Sequence, residues 1–270
     1  MKNQFKLGII GCGFMANAIL KGVVESEFIR AKKIIVSDTN VDKLNEISDN
    51  LGVCVTDDNK FVAENCEYLL LAVKPQSFEE VAKELSGVCH KKIISIMAGV
   101  KKAKIKNSFG VGLIKVARCM PNLPCSVGCG MMGVDMTDFN GNTDDTDFIN
   151  NLFSCMGQVL SVSEDKLDAV TGISGSGTAY SFIFIDSLID AGVKQGLTKD
   201  EAKLLAVQTV WGACEMLFQS EKPLSELIMS VCSKGGTTIE AVKVLEKNNF
   251  RGTVSEAVDA CVKRSKELSE

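Results

Sequence analysis

The sequence predicts an α/β fold, with a mainly parallel sheet domain over residues 1–163 followed by an all-helical domain over residues 164–270. Three observations predict it. Up to Ser163, short apolar runs alternate with helical patterns, the rhythm of a sheet covered by helices on both faces. A glycine turn, Gly11-Cys12-Gly13-Phe14-Met15-Ala16, joins the first strand to the first helix. After Ser163 no strand pattern follows, and helix starts take over.

Taken in order, Leu7 to Ile10 reads as a strand and Met15 to Val24 as a helix. Ile34 to Val36 is a second strand, Val41 to Leu51 a helix, and Val53 to Val55 a short third strand. Tyr68 to Val73 is apolar throughout, as a strand covered on both faces must be. Gln76 to Leu85 is helical and Lys92 to Met97 a fifth strand. Leu113 to Cys119 and Gly130 to Val134 read as two more strands, Thr143 to Cys155 as a helix, and Val159 to Val162 as the last strand.

In the second part, Thr198 with Glu201, Thr237 with Glu240 and Thr253 with Glu256 have the spacing of capping boxes, and Pro223 suits a first helical turn. The helices are rich in Ala, Val, Leu and Ile. So small a helical domain has limited core of its own, so much of that surface is expected to pack against another subunit.

The bulk numbers exclude several classes. Apolar residues make up 46% and charged residues 24% of the 270, the balance of a globular protein. A net charge of −4 with no polybasic run argues against a nucleic-acid partner. No apolar run reaches membrane-spanning length, and no membrane partner is expected. The eleven cysteines are scattered, with no C-x-x-C pair, and His90 is the only histidine, so no metal site is expected. The odd cysteine count and the absence of a signal pattern point to reduced thiols and a cytoplasmic location.

The glycine turn is G-x-G-x-x-A in its proper strand-to-helix place, the Rossmann fingerprint for a dinucleotide. Gly11 makes the tight turn, Gly13 leaves room for a pyrophosphate, and Ala16 allows close helix–strand packing. The second strand ends at Ser37-Asp38-Thr39-Asn40. An acid there favours a ribose 2′-hydroxyl, yet Ser37, Thr39 and Asn40 can bond a 2′-phosphate, so NAD and NADP both stay open. Ala72-Val73-Lys74-Pro75, Ala98-Gly99 and Met120-Pro121-Asn122 end later strands, where an open sheet borders its ligand. Lys74 there either meets an anion or is a solvated lysine before a helix-starting proline.

Two further segments carry chemistry. Val170 to Tyr180 holds Gly172, Gly175 and Gly177 among hydroxyl residues, which suits close approach by a helix, a cofactor ring or a substrate. Ser230 to Glu240 places Gly235 and Gly236 before a helix start, either an ordinary capped turn or a backbone cradle for an anion such as a carboxylate. His90 sits in a polar turn and is expected at the surface, so no confident proton donor is in view. A cyclic imine relaxes that demand, because it can be protonated in water before hydride arrives.

Leu7 to Met15, Ala72 to Gln76, Ala98 to Val100, Arg118 to Asn122, the Val170–Tyr180 segment and the Gly-Gly-Thr-Thr loop follow the order seen in pyrroline-5-carboxylate reductases, and the chain resembles that family along nearly its whole length. The resemblance implies reduction of 1-pyrroline-5-carboxylate to L-proline with NADP as cofactor, NAD being allowed, at the last step of proline biosynthesis. It also implies a helical dimerisation domain and a homodimer, often built into a decamer. Thr171 and Thr238 are implied as catalytic, and Gly235, Gly236, Thr237 and Thr238 as substrate-binding. Gly11, Cys12, Gly13, Phe14, Met15, Asn59, Ala72, Val73, Lys74 and Pro75 are implied at the cofactor, to which the strand ends add Ser37 and Ala98.

The chain departs from the family where Lys234 and Thr178 replace prolines, which leaves room for a related cyclic imino acid as substrate. Two other readings share the scaffold. A β-hydroxyacid-type dehydrogenase needs a lysine in the helix after the Val170–Tyr180 segment, an expected hinge, and Tyr180 to Leu188 has none. A non-catalytic nucleotide-binding accessory protein has no need of the Gly235–Thr238 loop.

Overall fold

The computed structural model describes residues 4–88, 92–109 and 113–269, so His90 and its expected surface position lie outside the described residues. The first elements are β1 (Phe5–Ile10), α1 (Phe14–Glu25), β2 (Ile34–Ser37), α2 (Val41–Leu51), β3 (Cys54–Thr56), α3 (Asn59–Asn65) and β4 (Cys66–Leu71). Then come α4 (Phe78–Glu84), β5 (Lys92–Ser95), α5 (Lys102–Ser108), β6 (Lys115–Met120), β7 (Gly130–Asp135), α6 (Thr143–Ser154) and β8 (Gly157–Ser161). They form one eight-stranded sheet in the order β3-β2-β1-β4-β5-β6-β7-β8. All neighbours are parallel except β6 and β7. The chain between those two strands is too short for a crossover helix, so β7 must turn back antiparallel.

The uniform apolarity of β4 has a direct cause. Tyr68 and Leu70 pack into one layer with α1, α2 and α6, while Leu69 and Leu71 pack into the other with α3, α4 and α5. Strand order reverses between β1 and β4, so their carboxyl ends open a crevice at the edge of the sheet.

Two ion clusters fix the sheet's flanks. Lys102 reaches the fully buried Asp135 at 2.8 Å and also meets Asp138 and Thr137. Burial opposes the charge on Lys102, but the two carboxylates outweigh it and raise its pKa. In the second cluster, Asp145 pairs with Lys92 at 2.6 Å and accepts from the Tyr68 hydroxyl. Burial would raise the Asp145 pKa, yet these two partners hold it below the usual carboxylate range.

After β8 every element is helical: α7 (Leu167–Val170), a π-type turn at Thr171–Gly175, α8 (Gly177–Lys194), α9 (Lys199–Gln219), α10 (Leu224–Ser230), α11 (Thr237–Lys247) and α12 (Phe250–Leu268). The chain forms two compact units, residues 1–176 with 261–270, and residues 177–260. Position 163, where the sequence suggested a division, marks the end of the strand-bearing segment.

Three expected helix starts differ. Only Thr198 with Glu201 forms a capping box. α11 begins at Thr237 with Gly236 as N-cap, so Glu240 stands one residue beyond the box position and instead pairs with Lys243 at 2.7 Å. Thr253 lies inside α12, which already starts at Phe250, and its hydroxyl bonds back to the Asn249 carbonyl. Pro223 is the N-cap of α10 rather than part of its first turn.

Within the second unit, α8 packs against α9. Large apolar side chains remain on the surface, among them Trp211 at 63% and Phe218 at 85% exposure. Among the described residues no helix is long and apolar enough to cross a membrane.

Candidate active site

The glycine turn sits at the crevice between β1 and β4. Gly11 has φ +98°, and a Cβ on it would lie 2.8 Å from the Ala72 carbonyl oxygen. The surrounding backbone is pinned: Gly11 N–H donates to Ser37 O at 2.8 Å, and Ala72 N–H donates to Ile10 O at 2.9 Å. Gly13 caps α1 with no side-chain partner, and a Cβ there would meet nothing within 4 Å. The start of α1 therefore presents backbone amides and a positive dipole end over open space.

A groove of about 410 Å³ runs along this edge, and Gly11, Gly13, Asp38, Asn59, Ala72 and Lys74 stand in its walls. Val73, Thr39 and Lys43 border it too. The expected cofactor residues are thus only partly brought together. Ser37 lies beneath the wall, donating to Asn59 Oδ1 at 2.7 Å, while Asn59 donates to Glu84 at 2.6 Å. Cys12 is buried under the turn, where desolvation and then Asp38 push its thiol pKa up to about 12, so it stays protonated. Phe14 is exposed and borders a different shallow groove, between α1 and α2. Met15 is half-buried against the core, and Pro75 opens the short 3₁₀ turn that precedes α4. Ala98 is exposed in the turn after β5, outside the walls of the 410 Å³ groove.

Lys43 is a groove residue that the sequence reading missed. Asn40 caps α2 by accepting from Lys43 N–H at 3.0 Å, which places Lys43 in the first helical turn. The Asn40 cap was the available signal.

The π-type turn shapes the Val170–Tyr180 segment. Ser176 N–H donates to Thr171 O at 2.8 Å, the wide bond that defines it. Asn122 holds this turn against the sheet. Its Nδ2 donates to Ser174 O at 3.2 Å, and its Oδ1 accepts from Met131 N–H at 3.0 Å. The close approach at Gly175 comes from the Met120 side chain. Thr171 donates its hydroxyl proton to Leu167 O at 2.9 Å, which leaves its oxygen as an acceptor. Arg118, on β6, meets Glu164 at 2.8 Å, and Glu164 also accepts from Lys102 N–H.

In the helical unit, Gly235 has φ +73°, and a Cβ on Gly236 would lie 2.2 Å from Ser233 Oγ. The left-handed backbone favours glycine at Gly235, whereas the Gly236 contact is with a serine hydroxyl that can rotate. Gly236 then starts α11 with no side-chain cap, so the first amides of the helix face outward. Thr237, Thr238 and Lys234 are all exposed. Uncapped amides at a helix start suit a carboxylate.

Residues 164–268 match the family model described as pyrroline-5-carboxylate reductase dimerisation, and residues 6–99 match a model described as NADP oxidoreductase, coenzyme F420-dependent. A pyrroline-5-carboxylate reductase from a Synechocystis species is 40% identical over 99% of both chains. The solved structure of a pyrroline-5-carboxylate reductase from Coxiella burnetii superposes with a TM-score of 0.90 at 35% identity, covering 99% of this chain and all of that one. The Plasmodium falciparum enzyme, solved with NADP bound, gives 0.88 at 32% identity, with both chains covered in full. The apolar surface of the helical part and its match to a dimerisation model agree that the chain oligomerises through these helices. The chain belongs to the pyrroline-5-carboxylate reductase family.

Proposed function

We propose that the protein reduces the C=N bond of 1-pyrroline-5-carboxylate to give L-proline, the last step of proline biosynthesis, with NADPH as the hydride source and NADH allowed. The observation that carries this reading is a chain that matches pyrroline-5-carboxylate reductases over its full length while keeping both an open dinucleotide cradle and an uncapped anion-binding helix start.

The cradle fits the cofactor. A pyrophosphate needs unobstructed backbone amides at a helix start, and Gly13 leaves that space open. When bound, NAD(P)H supplies hydride, and the protein supplies binding and orientation. Gly11, Gly13, Asn59 and the Ala72–Lys74 strand end are assigned to hold it, with Ser37 supporting Asn59. Cys12, Phe14, Met15, Pro75 and Ala98 shape the surroundings of that cradle.

On the substrate side, Gly235 and Gly236 form the turn that frees the amides of Thr237 and Thr238 for the carboxylate. The Thr238 hydroxyl adds a donor at the same helix start. Thr171, its own proton committed to Leu167, accepts from a protonated imine nitrogen. No ionised acid is required, because water protonates the ring before reduction and the remaining work is orientation. The protein is placed in the cytoplasm, in keeping with free thiols at the described cysteines. The helical domain forms a homodimer, and a decamer of five such dimers is the larger assembly implied by the family.

The test compares five- and six-membered cyclic imino acids, each with NADPH and NADH. The five-membered substrate should give the highest kcat/KM. No turnover of it with either dinucleotide, by folded protein that binds one, rejects the proposal.

A further inference from the structure

The dinucleotide groove carries two opposed charges where β2 meets α2. Asp38 follows β2 directly and stands in the groove wall with Thr39 and Lys43. Its Oδ2 accepts from Cys12 N–H at 2.7 Å and its Oδ1 from Asn40 N–H at 2.9 Å. Those two bonds fix the carboxylate beside the middle of the glycine turn. Burial alone would raise its pKa, but the two amides and Lys43 prevail and lower it, so the group is charged at neutral pH.

An acid at the end of the second strand meets the adenosine ribose at its 2′ position in folds of this kind. An ionised carboxylate only accepts hydrogen bonds. It welcomes a 2′-hydroxyl, which donates, and opposes a 2′-phosphate, which carries negative charge and offers no comparable donor. Lys43, anchored in the first turn of α2 by the Asn40 cap, acts in the opposite sense.

We propose that Asp38 and Lys43 form an opposed pair that sets how strongly this chain separates NADP from NAD, Asp38 disfavouring the 2′-phosphate and Lys43 favouring it. The inference rests on the dinucleotide-binding reading above and deepens it. It excludes neither dinucleotide and assigns their ratio to two named side chains.

The test is direct binding, without substrate, of NADP+ and NAD+ to the full-length protein by titration calorimetry. Asp38→Asn removes the charge and keeps an acceptor for the Cys12 amide. It should shift the ratio of the two dissociation constants about tenfold toward NADP+, the scale of a like-charge contact at a solvated groove rim. Lys43→Gln should shift the ratio in the other direction, and raised salt should shrink both effects. The opposite signs separate a charge effect from damage to the loop, which would weaken both dinucleotides alike. A ratio that stays within about twofold in both variants overturns the proposal, as does equal weakening of both ligands. Wild-type protein that binds neither dinucleotide defeats the underlying reading as well, whereas binding with an unmoved ratio defeats only this one.

Discussion

Gly11→Ala isolates the contribution of the glycine turn. The added methyl meets backbone rather than a yielding side chain, with the Ala72 carbonyl oxygen at 2.8 Å, its carbon at 2.9 Å and Val73 N at 3.0 Å. Neither side can retreat freely, since Gly11 is bonded to Ser37 and Ala72 to Ile10. A non-glycine residue at φ +98° adds strain of its own. Strain of roughly 1–3 kcal/mol plus overpacking of similar size gives a loss of about 2–6 kcal/mol. That corresponds to a Tm lower by at least about 4 °C, read by calorimetric unfolding. Gly13→Ala is the informative partner, because its Cβ meets nothing within 4 Å and its φ of −69° suits any residue. It should cost under about 1 kcal/mol of stability while its methyl fills the cradle and weakens NADP+ binding more than about tenfold. If Gly11→Ala melts like wild type, or if Gly13→Ala binds NADP+ unchanged, the packing account of this turn is wrong.

Three further outcomes are expected. Lys102→Met leaves the buried Asp135 without its cation and should lower the unfolding free energy by about 3 kcal/mol in urea titrations, with an unchanged midpoint counting against that pairing. The Asp145 carboxyl has a lowered folded-state pKa, so its stabilisation is present above the unfolded value of about 3.9 and is lost as pH falls through the lower folded value. Asp145→Asn should therefore flatten the decline of the urea midpoint as pH falls below about 4, and an equally steep decline would assign it to other groups. Thr238→Ala should raise the KM for 1-pyrroline-5-carboxylate or lower kcat by about tenfold, and an unchanged kcat/KM removes this hydroxyl from the substrate side.

The fold was legible where periodicity extended far enough. α2 was read to its ends, because Asn40 caps it and Gly52 stops it in a left-handed conformation. α3 and α5 were missed. Each has seven residues, and α5 buries only Lys102 and Ile105, too little to leave a helical period. Asp58, which caps α3, was the signal passed over. The false boxes at Thr237 and Thr253 show a limit of spacing alone: a threonine at the first helical position, or one inside a helix, keeps the same distance to a glutamate. The hinge glycines drew notice, but the wide π-type bonding of Thr171–Gly175 has no sequence period of its own. Of the groove, the glycine turn and the Ala72–Lys74 strand end were readable from their places after strands, whereas Lys43 required knowing that α2 turns its first residues toward the groove.

Hydride from the dinucleotide reaches the imine carbon of 1-pyrroline-5-carboxylate. NADPH or NADH deuterated at the transferring position, incubated with that substrate and the protein, tests it most directly by mass spectrometry and NMR of the product. The expected product is L-proline carrying one deuterium at C5, formed in step with dinucleotide oxidation. Folded, dinucleotide-binding protein that yields no labelled proline would contradict it.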